Sequence, residues 1–520
     1  MEEATPPPPP TKPPLLPPHK PKTLDDLLER CMGALCPSQL AQAVIVSLAW
    51  VFDAQQTFIN VFADAAPAWT CADPSDPVCA HAPNPCALPP SSWSYSLPSR
   101  ASTASDWSLA CARGPAFLPG LPASSFFAGC LIGGLALATL ADSSLGRKRA
   151  LSLSCLLMSI FSAATAAAPN VWVYSLVRFI VGFFRATIGT SALVLSTELV
   201  GKKWRGEVGI LGFVCFTVGF SSLPALAYYN RYSSWRLLYL YTSLPALVYS
   251  LCVHFFVRES PRWLLVRGRK EEALDALKSI TSSPLTCSFS SVCGNGDNDI
   301  DVYSALKALC AKRWALRRLT GVMVAGFGVG MVYYGMPLGV GDLGFNLYAS
   351  VTFNALAELP SALITLFLIE RLNRRTSVLA CTASCAVLSV TCAVEGGRGG
   401  GAVKMGAEVG AFFCACTAFN VLLIYSLELF PTCVRNSAVA MVRQALVLGG
   451  VFAPALVAAG RRSGRGWVSF GVFGAVVGFC GLFVAWLPET RGGGICDTLE
   501  EEEYKDGVGK GGGLEQPLLA

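Results

Sequence analysis

A short charged signature occurs twice in the sequence, once in each half, at the same place relative to long apolar segments. Glu198 closes an apolar run and Arg205 follows seven positions later, and Glu428 and Arg435 repeat this arrangement. Charged loops also follow the second and eighth apolar segments. Two matching halves with the same charge positions are the layout of a secondary transporter. The candidate pairs of a gating charge network are Asp142 with Arg147, Glu198 with Arg205, Glu370 with Arg374, and Glu428 with Arg435.

The composition indicates a membrane protein. Hydrophobic residues make up 53% of the 520 residues and charged residues 14%, whereas soluble proteins average about 25% charged residues. Twelve apolar segments are each close to the roughly 20 residues that a helix needs to span a bilayer. The sequence therefore predicts an all-α membrane protein with twelve transmembrane helices in two six-helix halves. The segments fall at about 40–62, 125–141, 150–168, 171–196, 208–229, 236–257, 319–340, 346–369, 377–394, 405–428, 438–459 and 467–487.

These segments divide the chain into five parts. Residues 1–36 form a Pro-rich tail and a short helix, and residues 37–257 form the first six-helix half, with a large loop at 63–124. Residues 258–318 are a polar linker, residues 319–487 form the second half, and residues 488–520 form a C-terminal tail.

Basic residues predict the orientation in the membrane. Loops after even-numbered segments are rich in Lys and Arg, whereas most loops after odd-numbered segments are poor in charge; the exception contains Arg461, Arg462 and Arg465. Since basic loops stay in the cytoplasm, we expect both termini there and the large loop outside the cell or in a lumen. The net charge of +6 is thus explained by contact with a lipid bilayer, and no nucleic-acid partner is expected.

Four of the 21 Cys residues share the large polar loop, namely Cys71, Cys79, Cys86 and Cys111. An even number of cysteines in a Pro- and Ser-rich loop predicts two disulfides in an oxidising compartment, with three possible pairings. Free thiols are the alternative. The three His residues have no ligand-like spacing, so we expect neither a metal site nor a cofactor.

The loop after the second segment resembles the major facilitator superfamily motif Gly-x-x-x-Asp-Arg-x-Gly-Arg-Arg. Here Ala138 replaces the leading Gly, Ser143 replaces the first Arg, and one residue is inserted before Gly146. Asp142 and Arg147 still provide the charges of this motif. The resemblance covers nearly the whole chain and implies two halves that rock between inward-open and outward-open states.

Further motifs resemble the plant organic cation/carnitine transporter family. Sugar porters and organic ion transporters share the sequences at 258–265 and 488–500. The long Cys-bearing first loop, the sequence Trp50 to Phe58 and the Tyr333-Tyr334-Gly335 element match the organic cation group better than the sugar porters, many of which carry Gln-Leu-Ser in the seventh helix. The resemblance implies carnitine, choline or polyamines as the class of substrate.

Charges inside apolar segments are candidate substrate contacts, because a charge at mid-bilayer costs roughly 2.5–3.5 kcal/mol on insertion scales. Glu358 lies in the eighth segment, where animal organic cation transporters have a similar Glu. An ion pair of Glu358 with Arg178 or Arg443 is the alternative. Arg443 is a candidate anchor for the carboxylate of a zwitterion. The aromatic rings of Tyr333 and Tyr334 are candidates for contact with a quaternary ammonium group.

Proton coupling is a hypothesis that rests on Asp53 in the first segment and Arg178 in the fourth. A buried carboxyl group binds protons more readily than an exposed one, and Arg178 resembles an Arg linked to proton coupling in the superfamily. Uptake of cations driven by the membrane potential is the alternative. Asp53 is also a candidate substrate contact.

The sequence thus predicts a multi-pass transporter of small organic cations or zwitterions that works by alternating access. A proton-coupled sugar symporter of the same superfamily and a non-transporting membrane receptor are the alternatives. No nucleophile–base pair, phosphate loop or metal cluster suggests an enzyme. The sequence leaves two locations for the protein, the plasma membrane and the vacuolar membrane. The segment at 515–519 resembles an acidic dileucine sorting signal, but its spacer has one residue too few.

Overall fold

A computed structural model of the protein describes residues 36–137, 145–281, 302–396, 401–491, 496 and 498–508, apart from 67, 74, 76, 81, 83, 84, 90, 110 and 112–114. The predicted N-terminal tail lies almost wholly outside these residues. The described part is a bundle of helices with one two-stranded sheet, β1 and β2.

The first half contains six spanning segments. The first is α1 (Pro37–Ser47), α2 (Ala49–Phe58) and α3 (Asn60–Ala63), and the loop after it holds β1 (Trp69–Cys71), α4 (Pro77–Ala80), β2 (Trp93–Tyr95) and α5 (Thr103–Asp106). The later segments are α6 (Leu121–Ala136), α7 (Arg147–Thr165), α8 (Val171–Arg185) with α9 (Ile188–Glu198), α10 (Arg205–Tyr229) and α11 (Trp235–Phe256). The linker contains α12 (Pro261–Val266), α13 (Lys270–Ile280) and α14 (Val302–Ala311).

The second half also contains six spanning segments. They are α15 (Arg313–Gly339), α16 (Leu347–Arg371), α17 (Arg374–Gly396), α18 (Gly401–Leu429), α19 (Thr432–Arg462) and α20 (Val468–Leu482). The tail forms α21 (Leu499–Val508), which ion-pairs to the start of this half through Arg318 and Glu502. Short 3₁₀ turns lie at Pro85–Ala87, Ser99–Ala101, Leu118–Gly120, Lys202–Trp204, Val340–Leu343 and Phe483–Trp486.

Eleven helical segments of the described residues are long and apolar enough to cross a membrane. The remaining predicted segment is α7, which has 19 residues but is less apolar because it begins with Arg147, Lys148 and Arg149 and contains four Ser. Its Ser side chains point into the protein: Ser152 donates to the Ser250 carbonyl and Ser162 to Gln56. Such bonds satisfy the hydroxyl groups inside the bundle and remove the cost of placing them in lipid.

Small residues let helices pack closely in the same way in each half. A Cβ atom at Gly129 of α6 would lie 2.0 Å from the carbonyl oxygen of Phe179 on α8. In the second half, a Cβ atom at Gly330 of α15 would lie 2.0 Å from the carbonyl oxygen of Leu446 on α19. Close helix contacts through glycine are characteristic of membrane helices.

We call the end of the bundle that carries the large loop the loop side, and the opposite end the tail side. Ring contacts join the halves between mid-height and the loop side, among them Phe58 with Tyr333, Phe127 with Tyr334, and Phe62 with Tyr348 at a centroid distance of 5.8 Å. A cavity of about 240 Å³ lies on the loop side. Its lining includes Phe62, Tyr348, Asp342 and Arg461, so both halves contribute to it.

The large loop is held by the β1–β2 pair and by two disulfides. Trp69 to Cys71 pair antiparallel with Trp93 to Tyr95. Cys71 is bonded to Cys79, and Cys86 to Cys111. Of the three pairings that the sequence leaves open, this one closes two separate loops of 8 and 25 residues.

Candidate functional site

A carboxyl group and a phenol meet at the centre of the second half. Glu358 lies in the middle of α16 and is partly buried, and its Oε1 accepts a 2.7 Å hydrogen bond from the Tyr333 hydroxyl on α15. Tyr333 is 6% exposed. The ion pair of Glu358 with Arg178 or Arg443, considered from the sequence, is not formed among the described residues. No described arginine therefore neutralises this carboxyl group, and a cationic ligand can pair with it.

Aromatic rings surround the Tyr333 side chain. Its ring stacks on Phe412 at a centroid distance of 5.7 Å and lies 4.9 Å from Phe419 and 6.2 Å from Phe58. Tyr334 adds a ring at 4.9 Å. We call Tyr333, Tyr334, Phe58, Phe412 and Phe419 the aromatic cluster. The sequence singled out only the two tyrosines, because nothing in a long apolar segment marks which Phe faces the centre.

Asp53 and Arg185 form a two-point ion pair between the first and fourth spanning segments. Arg185 Nε lies 2.7 Å from Asp53 Oδ1, and Nη2 lies 2.6 Å from Oδ2. The Asp53 side chain is 2% exposed. Two parallel bonds between a guanidinium and a carboxylate are a strong and oriented contact. The structure thus gives Asp53 a cationic partner seven residues beyond Arg178.

Arg178 is fully buried and bonds to amide groups of the first segment. Its guanidinium donates to the Gln56 carbonyl oxygen at 2.9 Å, to Gln56 Oε1 at 3.2 Å and to Asn60 Oδ1. It also lies 4.3 Å above the Phe126 ring. Among the described residues Arg178 makes no contact with Asp53, so the two residues proposed for proton coupling belong to separate polar clusters.

The Arg178 cluster extends to the loop side through Asp64, which follows α3. Asp64 accepts hydrogen bonds from Tyr174 at 2.9 Å and from Thr103 at 2.8 Å. Burial raises the pKa of the Asp64 carboxyl group above its ordinary value, and its hydrogen bonds and the Arg178 charge partly offset this. Asp64 was not predicted as a site residue because it lies just after the first apolar segment.

Arg443 points into the space between the halves. It lies on α19 and is partly buried, and it forms no hydrogen bond or ion pair with the described residues. The groups that interact with its charge are Tyr334, Arg185 and Asp53. A guanidinium in this position is a ready partner for an anionic group.

The charge network on the tail side is partly defined. Arg374 Nε lies 3.0 Å from Glu428 Oε2, and the Thr490 hydroxyl donates a 2.6 Å bond to the same oxygen. Arg435 instead donates to the Phe430 carbonyl oxygen. Both helices of the Arg374–Glu428 pair belong to the second half, so this pair joins neighbours and does not bridge the halves.

The structure describes fewer contacts for the other predicted network residues. One Glu198 oxygen is buried without a hydrogen-bond partner among the described residues. Arg147 begins α7 and Arg205 begins α10. Asp142 and the side chain of Glu370 lie outside the described residues.

Two carboxylates that the sequence analysis did not single out cap equivalent helices. Glu259 accepts a 3.0 Å bond from the Lys148 backbone N–H at the start of α7. Glu489 accepts bonds from the Arg374 and Arg375 backbone N–H groups, at 2.8 and 3.2 Å, at the start of α17. Carboxylates are favourable at helix N-termini because the first N–H groups lack partners within the helix. The internal repeat therefore includes these caps.

Comparison with known proteins extends this description. A family model described as "Sugar (and other) transporter" matches residues 86–499. Organic cation/carnitine transporter 3 of Arabidopsis thaliana is 56% identical over 498 residues, which cover 94% of this chain and 95% of that protein. Organic cation/carnitine transporter 2 of the same plant is 53% identical over 504 residues, with the same coverage of 94% and 95%.

The fold is also found among solved structures. An inward-open structure of the xylose transporter XylE from E. coli matches with a TM-score of 0.60 and 18% identity, covering 90% of this chain and 99% of that one. This similarity confirms the predicted major facilitator fold. By sequence and fold, the chain belongs to the sugar (and other) transporter family of the major facilitator superfamily, in the group formed by the organic cation/carnitine transporters.

Proposed function

We propose that the protein moves small organic cations or zwitterions of the carnitine, choline or polyamine class across a membrane by alternating access. The observation that carries the proposal is the partly buried Glu358 carboxylate beside the aromatic cluster. The names of the two Arabidopsis relatives support the same class of substrate.

The chemistry of the site suits a quaternary ammonium or protonated amine. A quaternary ammonium group has no hydrogen-bond donor, whereas a protonated amine donates N–H bonds to a carboxylate, and the negative faces of rings attract both. Two opposite charges 4 Å apart interact by about 4 kcal/mol at an effective dielectric constant of 20. Glu358 supplies the charge, and Tyr333 and Phe419 supply ring faces.

Arg443 extends the proposal to zwitterions. Its guanidinium, which has no hydrogen-bond or ion-pair partner among the described residues, binds the carboxylate of a molecule such as carnitine while Glu358 and the rings bind the ammonium group. Val447 occupies the position, one turn further along α19, where animal cation transporters resembling this chain have an Asp. The absence of that second carboxylate favours a ligand with a negative group of its own.

A proton-coupled sugar symporter is a less favoured function. A sugar needs many hydrogen-bond donors and acceptors, and the surroundings of Glu358 are mainly aromatic. The Tyr333-Tyr334-Gly335 element at this place also differs from the Gln-Leu-Ser of many sugar porters.

Alternating access is proposed to be controlled at both ends. The ring contact of Phe62 with Tyr348 closes the loop side. On the tail side, the predicted network residues bias the equilibrium between the two states, and the Arg374–Glu428 pair contributes from within the second half by fixing the ends of α17 and α18. Asp53 and Arg178 remain proposed for proton coupling, with Asp53 exchanging Arg185 for a proton during the cycle.

We also propose that both termini face the cytoplasm and that the loop side faces outward, in the plasma or vacuolar membrane. A membrane-impermeant maleimide tests this orientation. In intact cells that express the protein at the surface, the four loop cysteines should become labelled only after reduction. A Cys71→Ser/Cys79→Ser/Cys86→Ser/Cys111→Ser variant should lose that signal. Labelling of the wild type without reduction would contradict the disulfides.

Uptake by expressing cells tests the function. Labelled tetraethylammonium, carnitine and xylose are compared in cells expressing the wild type, Glu358→Gln, and Glu207→Gln as a control at an exposed position. We expect saturable uptake of a cation or zwitterion that is lost in Glu358→Gln and kept in Glu207→Gln. Uptake of xylose alone would favour the sugar alternative, and no uptake by surface-confirmed protein would contradict the proposal.

A further inference from the structure

A second carboxyl group is buried in the second half, apart from the residues discussed so far. Glu408 lies on α18 and is 1% exposed. Its Oε1 accepts a 2.9 Å hydrogen bond from Nδ2 of Asn354 on α16, which is itself 0% exposed. Oδ1 of the same Asn354 side chain is buried without a hydrogen-bond partner among the described residues.

Glu408 has no cationic partner. It forms no ion pair with any described residue, and Lys404, one turn earlier on the same helix, lies over the Phe345 ring at 5.1 Å. Other titratable or charged groups on the elements packed against α18 include the Cys392 thiol on α17, Glu358 on α16, Tyr333 on α15, and Asp342 of the 3₁₀ turn with its partner Arg461 of α19. None of the described arginines on these elements forms an ion pair with Glu408, and Arg461 is already paired with Asp342.

An ionised carboxylate in this position is costly, since burial of an unpaired charge costs several kcal/mol even after the protein relaxes. A proton on Glu408 removes this cost. It also gives the orphan Asn354 oxygen a donor, because a carboxylic acid and an amide facing each other form two reciprocal hydrogen bonds. A single proton on Glu408 thus neutralises the carboxylate and also provides a hydrogen-bond donor for Oδ1 of Asn354.

The Glu408–Asn354 pair lies close to the proposed substrate site. Asn354 and Glu358 are four residues apart on α16, so they share one face of the helix and are separated by about 6 Å along it. Asn354 is the nearer of the two to the loop side. A proton at Glu408 is therefore one helical turn from the bound cation.

We infer that Glu408 is the site of a transported proton, held by Asn354 as a neutral acid. This inference rests on the proposed function. In the cycle, a hydronium ion from the loop side protonates the Glu408 carboxylate, forming one O–H bond and releasing water. After the halves rock, the same O–H bond breaks and the proton passes to water on the tail side. One proton crosses for each transfer. Asp53, the candidate for proton coupling from the sequence, has Arg185 to balance its charge when deprotonated, so we assign the transported proton to Glu408 in its place.

Infrared difference spectroscopy tests the protonation without transport. Purified wild type at neutral pH should show the carbonyl stretch of a protonated carboxylic acid, and Glu408→Gln should lack that band. Glu358→Gln identifies any contribution of the other buried carboxyl group. A spectrum of Glu408→Gln that is identical to that of the wild type in this region would overturn the inference.

Transport in proteoliposomes tests the coupling. The ratio of tetraethylammonium uptake with and without an inward proton gradient is measured for the wild type, Glu408→Gln and the exposed control Glu207→Gln. We expect the ratio to fall to about one in Glu408→Gln and to stay at the wild-type value in Glu207→Gln. If Glu408→Gln keeps the wild-type ratio, or if the wild type transports the cation with no gradient effect, the inference is wrong.

Two further arms separate the possible failures. Glu408→Asp keeps a titratable group and should retain a gradient effect with a shifted pH profile. This variant replaces Glu408→Gln in the test if Glu408→Gln does not fold. Loss of the gradient effect in folded Glu408→Asp would count against the inference. If the wild type transports no cation at all, the proposed function fails, and the infrared band still decides whether Glu408 carries a proton.

Discussion

The Tyr333 hydroxyl donates a 2.7 Å hydrogen bond to Oε1 of Glu358 and thereby joins α15 to α16 at the centre of the second half. The bond fixes one carboxylate oxygen and places the Tyr333 ring next to the charge. A cation bound there contacts a carboxylate and a ring face whose relative positions are already set. The cost of ordering these groups is therefore not paid on binding.

Tyr333→Phe removes this bond and keeps the ring. A hydrogen bond to a charged group contributes about 1.5–3 kcal/mol, so we expect the KM for tetraethylammonium to rise about tenfold or more. Tyr333→Leu, which also removes the ring, should raise it further. Initial-rate uptake over a range of concentrations measures both values. Equal KM values for the wild type and both variants would show that Tyr333 has no part in binding.

Asp53→Asn should strongly destabilise the fold, because it leaves Arg185 buried without its carboxylate. Breaking a buried ion pair by removing one partner costs about 3–5 kcal/mol. The double variant Asp53→Asn/Arg185→Gln removes both charges and should lose less stability than the sum of the single variants. The free energies of unfolding of the purified wild type, the two single variants and the double variant in detergent complete this double-mutant cycle. Additive losses would indicate that the two groups do not interact in solution.

Glu428→Gln weakens the contacts with Arg374 and Thr490 on the tail side. The side chains of Arg374 and Glu428 are 12% and 23% exposed, and ion pairs near the surface contribute about 1 kcal/mol or less. We expect a several-fold change in the maximal transport rate with KM within twofold of the wild type, since the pair is remote from Glu358. A large change in KM at an unchanged maximal rate would refute the gating role.

The pH dependence of stability should reveal Asp64. Because burial raises the pKa of this carboxyl group in the folded protein, its proton favours folding. This contribution is full below the unfolded pKa of about 3.9 and is lost as the pH rises through the higher folded pKa. The melting temperature of the wild type should therefore fall relative to that of Asp64→Asn as the pH is raised from about 4 to 7. A difference between the two melting temperatures that stays constant over this pH range would contradict the assignment.

The spanning helices were predictable from the sequence because membrane helices are long apolar runs. The predicted segment 346–369 corresponds to Leu347–Arg371, for example, and 208–229 lies within Arg205–Tyr229. The segment 150–168 was predicted as well, although it is rich in Ser, since its hydroxyl groups find partners inside the bundle. The length of an apolar run thus predicts a spanning helix, and hydrogen bonds inside the bundle allow a helix such as α7 to contain polar residues.

The partners of the buried polar residues were not predictable in the same way. Asp53 and Arg185 lie 132 residues apart. Arg178 and Arg185 are about two helical turns apart on one helix, and the relative height of the two helices decides which of them contacts Asp53. Glu358 was expected to contact either a substrate or an arginine, and its partner is Tyr333. Glu408 lies near the start of the predicted segment 405–428 and was not singled out, and its hydrogen bond to Asn354 on another helix is what marks it in the structure. Such pairs depend on helix rotation and crossing, which apolar periodicity does not encode.

Counterflow in proteoliposomes tests the central claim most directly. Vesicles containing purified protein are loaded with unlabelled tetraethylammonium or carnitine and placed in a trace of the labelled compound, with no pH gradient or membrane potential. We predict transient accumulation of label by the wild type for at least one of the two compounds, and a loss of at least tenfold in Glu358→Gln. Accumulation that is equal in both proteins, or absent for both compounds in the wild type, would contradict an organic cation site at Glu358.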